Sequence, residues 1–421
     1  MSNSFSIDFV SAPFSGHLHP LLDLATQLQT QGSLKMRFIS TPSATHDINV
    51  CGFQLHTILE DREDTIREIA HGNRQIGSHP LRLLRQLKSN ISMMDQLVIE
   101  LRELWKSRRP DLVVVDFAVP VAGLLAQSLG IAWWTALSAP SVFETRDCIP
   151  AYLGGWKPTT GPLGELRNWM GRTIIRTFKR CAMLTFAKTL HRLGIRSAYA
   201  ADGYEFIYSR QQVLVHGPIE FEFPGTWPSW VRFIGPQRTC PSLVHQTPPY
   251  VNGKRHVLIS LGTHVSWAKE RAIQLVKTVS QKMPELEFHF TRGNHNNPNY
   301  QQAGNFHEIP YIPYQQYIDR YALSINHAGT GILFACLRSG LPILAWPQDF
   351  DQFDNTARLT YHGLGLRCRP QLDLMINDLR TLLDDAHMRN SSKRMAQTIA
   401  SYDAAKIVLQ LIAKQFGYDH Q

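Results

Sequence analysis

Two histidines stand directly after the first apolar run of the chain. The run ends in the stretch PFSGHLHP, which holds His17 and His19, and a helical leucine pattern follows. A later apolar run, LVVV, ends at the carboxylate of Asp116. A charge at the end of such a run is costly without a partner, and an imidazole can take up a proton near neutral pH. These residue types suit proton transfer at the mouth of a strand.

A second group of reactive residue types lies near the other end of the chain. A predicted strand runs into HAGTG, residues 327–331, and then into a predicted helix. Glycines let the backbone approach a ligand closely, and a helix start offers free N–H groups to an anion such as phosphate. His327 can donate to the same anion. Asp351 and Gln352 follow the next strand and suit the hydroxyl groups of a sugar.

The elements that position these residues are short apolar strands alternating with helical patterns. Strands of this kind predict parallel sheets covered on both faces. The alternation breaks at a proline-rich stretch, residues 235–253, and then restarts. We therefore predict two doubly wound α/β domains joined by a linker, with ligands at the carboxyl ends of the strands, in a cleft between the domains. The predicted divisions are 1–236, a linker at 237–254, 255–400 and a C-terminal segment at 401–421.

Composition excludes several other classes. The 421 residues are 43% hydrophobic, with no run of eighteen apolar residues and no apparent signal peptide. Six scattered cysteines without a CxxC pair favour a reducing, cytoplasmic location, and no His/Cys cluster predicts a metal site. The first strand is not followed by G-x-G-x-x-G, which argues against a nicotinamide oxidoreductase. The net charge of +9 is concentrated in residues 151–200, without a nucleic-acid recognition motif.

The C-terminal signature resembles the donor-binding motif of glycosyltransferase family one, the UDP-glycosyltransferase superfamily with the GT-B fold. The residues that carry the resemblance are Tyr311, Pro313, His327, Gly329, Gly340, Pro342, Pro347, Asp351, Gln352 and Asn355. It implies two Rossmann-like domains facing across a cleft, with the last helix packing back toward the first domain. It also implies an inverting hexosyltransferase that uses a nucleotide-sugar co-substrate and needs neither a cofactor nor a metal ion.

The resemblance assigns roles residue by residue. Tyr311 is expected to stack on the nucleobase, and His327 and the helix start to bind the diphosphate. Asp351 and Gln352 are expected to hold the sugar. The complete donor-binding set is Thr263, Tyr311, His327, Gly329, Thr330, Gly331, Asp351 and Gln352.

The histidine stretch is similar to the family's Gly-His-x-x-Pro motif, in which the histidine is the general base. His17 holds that place, and Asp116 is expected to orient it and to stabilise the imidazolium. His19 and Trp134 are predicted to contact the acceptor, although His19 also suits a simple turn position.

The donor and the acceptor stay open at this point. The family's ribose-binding glutamate is Ala335 here, which favours a dTDP-deoxysugar, whereas FDQFDNTARLTYHGLG is similar to bacterial carotenoid and macrolide glucosyltransferases and favours a UDP-sugar. An inactive GT-B binding protein is the alternative of another class, and retention of both His17 and Asp116 argues against it. The acceptor is expected to be a small, lipophilic natural product, and the oligomeric state is not predicted.

The basic segment allows two interpretations. Residues 163–196 mix apolar side chains with regularly spaced Arg and Lys. They predict either packed helices with solvated basic faces, or the wall of a pocket for a lipophilic acceptor that also associates weakly with an anionic membrane surface.

Overall fold

The computed structural model of the chain describes residues 5–31, 34–70, 75–77, 79–239, 247–263, 266–293 and 299–418. Two seven-stranded sheets dominate it. The first sheet has the order β3-β2-β1-β4-β5-β6-β7, and all of its strands are parallel. These strands are β1 (Ser6–Val10), β2 (Lys35–Ser40), β3 (Gln54–Thr57), β4 (Leu112–Asp116), β5 (Ala132–Leu137), β6 (Val213–Val215) and β7 (Val231–Phe233).

Seven α-helices accompany the first sheet among the described residues. They are α1 (Ser15–Gln29), α2 (Thr45–Val50), α3 (Glu63–Ala70), α4 (Pro80–Ser107), α5 (Pro120–Ser128), α6 (Pro162–Thr185) and α7 (Ala187–Arg192). Residues 240–246 of the predicted linker lie outside the described residues.

The second sheet has the order β10-β11-β9-β8-β12-β13-β14, and β10 alone runs antiparallel to its neighbour. Its strands are β8 (Arg255–Ser260), β9 (Leu286–Thr291), β10 (Gln301–Ala303), β11 (Phe306–Ile309), β12 (Leu323–Asn326), β13 (Ile343–Ala345) and β14 (Gly365–Arg367). The accompanying helices are α8 (Ser266–Lys282), α9 (Tyr314–Tyr317), α10 (Thr330–Arg338), α11 (Gln352–Tyr361), α12 (Leu372–Asp384), α13 (Ala386–Ala400) and α14 (Ala404–Phe416).

The strand side chains of the first sheet are buried because the strands are continuous apolar runs. Phe9 pairs in register with Phe38 on one side and Val114 on the other, and all three side chains are at most 2% exposed. The last helix, α14, packs its apolar side, including Val408 and Ile412, into the core of the first sheet. The structure confirms the predicted α/β architecture of two doubly wound sheets.

Strand order places the candidate residues. Chain direction switches between β1 and β4 in the first sheet and between β8 and β12 in the second, and ligands bind at such switch points. His17 and Asp116 lie at the first switch, and Thr263 and His327 lie at the second. Among the described residues, no helix is long and apolar enough to cross a membrane.

Candidate active site

His17 and Asp116 form a hydrogen-bonded pair at the carboxyl edge of the first sheet. His17 lies in the first turn of α1, and Asp116 is the last residue of β4. The Nδ1 atom of His17 is 3.0 Å from both carboxylate oxygens. The backbone N–H groups of Ala12 and Ala118 also donate to the Asp116 carboxylate, each over 3.3 Å. Three donors therefore compensate for the burial of this carboxylate.

The pair sets the charge and the orientation of the imidazole. Burial lowers the pKa of His17, but the charge and the hydrogen bond of Asp116 outweigh this effect and raise the pKa above its ordinary value. Asp351, from the second half of the chain, also raises the pKa of His17. Phe117 stacks on the ring at 5.2 Å. With Nδ1 directed at Asp116, Nε2 is the nitrogen left to accept a proton from a substrate.

The start of α10 is a candidate anion site at the carboxyl edge of the second sheet. Its N-cap residue is Gly329, which has no side chain to accept from the first N–H groups of the helix, and such groups suit an anion. Ala328, just before it, has a left-handed backbone with a φ of +63°. Asn326 accepts from the N–H of Ala328 at 2.9 Å, and Asn355 donates to the carbonyl of Ala328 at 3.0 Å. These two amides hold the strained turn that aims the helix at the cleft.

Glycines make room for the imidazole of His327. A β-carbon added at Gly329 would collide with Nε2 of His327, and one added at Gly262 would lie 2.9 Å from the same atom. Gly262 also has a φ of +78°, which favours glycine. Thr263 follows it in the turn after β8 and is half-buried. His327, Thr263 and the start of α10 therefore meet at one edge of the second sheet.

The two predicted sugar-binding residues differ in their surroundings. Asp351 accepts from the Asn355 amide at 3.0 Å. Burial raises its pKa, while the charge of His17 in the first half acts in the opposite direction. Gln352 uses its side-chain carbonyl to accept the N–H groups of Gln348 and Asp349, at 2.8 and 3.1 Å. In this structure, that carbonyl shapes the loop after β13.

Two predicted acceptor residues have other roles. Trp134 is 0% exposed, and its indole N–H donates to Gln415 of α14 at 3.0 Å. It belongs to the core under the last helix, so the prediction that it binds the acceptor is wrong. His19 lies 2.7 Å from the carboxylate of Asp47, and its side chain is 13% exposed. This ion pair joins α1 to α2.

Tyr311 and Ala335, two further positions of the donor signature, lie in different surroundings. Tyr311 lies half-buried just after β11, on the same edge as His327. Ala335, where the family has a glutamate, is 2% exposed among the apolar side chains around α10.

Part of the basic segment is bound to groups elsewhere in the first half. Arg176 and Lys179 both pair with Glu144, and Lys179 also reaches Glu205 at 3.0 Å. Arg172 donates to the carbonyl of Cys148 at 2.9 Å. The interpretation as a simply solvated basic face is therefore wrong for these three cations. The outer face of α6 instead exposes apolar side chains, namely Leu163, Leu166, Trp169, Met170 and Ile174.

Contacts between the two halves were missed at the sequence level. Arg358 of α11 pairs with Glu222 at 2.7 Å, and both side chains are under 10% exposed. The carboxylate of Asp349 accepts the N–H groups of Ile76 and Gly77, at 2.7 and 2.8 Å. The partners are separated by 136 residues or more, and no local pattern signals such pairs. Within the described part of the chain, no group of three His, Cys, Asp or Glu side chains could hold a metal ion.

Comparisons with known proteins agree with this geometry. Residues 256–411 match the family described as the glycosyltransferase family 28 C-terminal domain. Zeaxanthin glucosyltransferase of Pantoea ananas is 22% identical over 371 residues, which cover 85% of this chain and 83% of the relative. The structure of the glycotransferase of kitacinnamycin aligns with a TM-score of 0.74 at 18% identity, over 98% of this chain and 99% of the other.

A further solved structure contains a nucleotide. The spinosyn rhamnosyltransferase SpnG, complexed with thymidine diphosphate, aligns with a TM-score of 0.67 at 18% identity, over 97% of this chain and 99% of that one. Sheet order, the two edge sites and these matches lead to one conclusion: the chain is a glycosyltransferase with the GT-B fold.

Proposed function

We propose that this enzyme transfers a hexose, with inversion, from a nucleotide-sugar to a hydroxyl group of a small, lipophilic natural product. The observation that carries the proposal is the His17–Asp116 pair, whose imidazole also feels the charge of Asp351 from the second half. A zeaxanthin glucosyltransferase and the glycotransferase of kitacinnamycin among the similar proteins support an acceptor of this class.

The proposed step uses one base and one displacement. The acceptor hydroxyl donates its proton to Nε2 of His17 while its oxygen bonds to the anomeric carbon of the donor sugar. The bond from that carbon to the diphosphate oxygen breaks on the opposite face, and the diphosphate leaves with the electron pair. Asp116 stabilises the imidazolium that forms, and Asp351 orients the sugar.

The diphosphate gains negative charge as it leaves, and in this proposal the start of α10 and His327 bind it. A helix N-terminus carries a partial positive charge and free N–H donors. We therefore propose that transfer needs no divalent ion. Turnover that is unchanged by EDTA supports this, and loss of turnover that Mg²⁺ or Mn²⁺ restores contradicts it.

We propose a UDP-sugar as the principal donor. A dTDP-sugar is the second candidate, favoured by the buried Ala335 in place of a ribose-binding carboxylate and by the thymidine diphosphate in SpnG. Melting temperature measured with UDP-glucose, dTDP-glucose and GDP-glucose separates these donors, because a ligand that binds only the folded state raises it.

Transfer itself is tested with a panel of hydroxylated lipophilic acceptors and the donor that stabilises the protein. The expected product is a β-glycoside from an α-linked donor, identified by NMR. A wild-type protein that binds the donor but neither transfers nor hydrolyses the sugar would support the inactive binding protein instead. A cytoplasmic location stays a prediction.

Weak association with an anionic membrane surface is also proposed for residues 163–196. It rests on the exposed apolar face of α6, with Arg180 and Lys188 exposed nearby. Co-sedimentation with vesicles of phosphatidylglycerol should exceed that with phosphatidylcholine and should decrease with salt. Equal, negligible binding to both vesicles would refute the association.

A further inference from the structure

One loop of the first half has an unusual backbone. In the loop after β5, Tyr152 has a φ of +65°, and Gly154 and Gly155 have φ values of +81° and +82°. Glycine adopts such angles readily, but a tyrosine adopts them at a cost of about 1–3 kcal/mol. Contacts outside the loop must therefore hold Tyr152 in place.

These contacts come from the second half of the chain, which contains the predicted donor-binding residues. The carboxylate of Asp354 accepts the backbone N–H of Tyr152 at 2.8 Å. A β-carbon at Gly155 would collide with the carbonyl oxygen of Phe353, so only glycine allows the loop to lie against α11. Arg367 donates to the carbonyl of Gly154 at 3.5 Å. The loop is thus docked on the helix that begins with the predicted sugar-binding residues.

Burying the Asp354 carboxylate costs free energy. It is 2% exposed, and burial raises its pKa to about 7. The N–H of Tyr152 and the charge of Arg358 act in the opposite direction, while Asp351 and Glu222 raise the pKa further. A neutral side chain would pack there at lower cost, which indicates that the hydrogen bond to the loop has a specific use.

The side chain of Tyr152 lines a small cavity together with Glu144 and Lys179, beside the buried ion pairs of α6. The charges of Asp351, Lys179, Asp354 and Glu205 all act on its phenol. The cavity between Tyr152 and α6 has a volume of about 10 Å³, which holds no more than one water molecule. Tyr152 is 40% exposed, so part of this residue is open to a ligand.

We propose that Tyr152 is an acceptor-binding residue, and that Asp354 is a positioning residue which holds it from the donor half. The ring would pack against the apolar body of a hydroxylated acceptor, and the phenol would bond to its polar edge. This inference rests on the proposed function. Tyr152 would thus be a specificity residue of the first half whose position is set by Asp354 of the second half.

The test separates the hydrogen bond from general stability. Asp354→Leu removes the acceptor of the Tyr152 N–H, whereas Asp354→Asn keeps an oxygen there. With 4-methylumbelliferone as the probe, Asp354→Leu and Tyr152→Ala should each raise the acceptor KM by ~10-fold, about the value of one hydrogen bond. The donor KM should change by less than about twofold, and Asp354→Asn should restore most of the acceptor KM.

Controls decide between this role and a structural one. Thr360→Val, on the same helix but bonded only within it, should leave both KM values unchanged. The double variant Asp354→Leu/Tyr152→Ala should be no worse than either single variant. An equal rise in donor and acceptor KM for Asp354→Leu, or strictly additive losses in the double variant, would overturn the inference.

A binding measurement keeps this inference distinct from the proposed function. The Kd of 4-methylumbelliferone, measured by calorimetry without donor, should rise by ~10-fold in Tyr152→Ala even if no transfer is detected. Absent transfer with this loss of binding refutes the proposed function alone. Unchanged binding in Tyr152→Ala, or no binding by the wild type, refutes the role of Tyr152.

Discussion

Replacing Asp116 by asparagine tests whether this carboxylate orients the base and stabilises its charge. The change keeps the shape of the side chain but removes its charge. In the wild type, the His17 ring and the backbone N–H groups of Ala12 and Ala118 all donate to the Asp116 carboxylate. An amide has only one oxygen, so it must turn that oxygen toward either the ring or the backbone. If its nitrogen faces the ring, His17 adopts the tautomer whose Nε2 carries the proton and cannot act as the base.

The expected loss follows from the hydrogen bond to a charged group. Such bonds contribute about 1.5–3 kcal/mol, and each 1.36 kcal/mol is tenfold in rate. We therefore expect kcat to fall by about 10- to 150-fold in Asp116→Asn. His17→Ala should cost more, ~10²–10⁴-fold, because the base itself is lost. The Kd of the donor should change little in either variant.

The pH dependence of kcat gives an independent test of the effect of Asp116 on the pKa of His17. Asp116 raises the pKa of His17, so the wild type loses its neutral base, and hence its rate, as pH falls through a value above 6.5. Without that charge the burial effect remains, and the acidic limb of the kcat profile should move to lower pH. Asp111→Asn, near the other end of β4, is the matched control and should leave the profile unchanged. An Asp116→Asn variant with wild-type kcat and an unmoved limb would refute the dyad.

Three further substitutions test the packing around the cleft. Gly155→Ala should destabilise the fold by about 1–3 kcal/mol in denaturant titration, because its φ is +82° and its β-carbon would strike the opposite half; an unchanged midpoint would contradict the docking of this loop. Arg358→Met should cost about 3–5 kcal/mol by leaving Glu222 buried and unpaired, and the added change Glu222→Gln should recover part of it. Lys179→Gln should lower the melting temperature, since two buried carboxylates lose their common partner; a solvated lysine would show no effect.

The features of the fold that depend on local sequence patterns could be predicted from the sequence. Continuous apolar strands such as the one ending at Asp116 determined the sheet type, and the glycines around Gly329 correctly predicted a strand-to-helix turn there. Trp134 was misplaced because an apolar strand buried on both faces does not reveal which face meets the cleft. The pairing of Tyr152 with Asp354 joins residues 202 positions apart, so only the relative placement of the two halves creates it.

The return of α14 to the first sheet has a consequence for synthesis of the chain. The apolar side of α1, with Leu18 and Leu22, packs in one core with Val408 and Ile412 of α14, which are translated after the whole second sheet. A nascent first half therefore carries an uncovered apolar stripe while the entire second half is still being made. Domains generally fold as units during translation, and uncovered surfaces of this kind recruit chaperones or aggregate. Expression of residues 1–236 alone should consequently give insoluble protein, and adding a peptide of residues 401–418 in trans should increase its solubility.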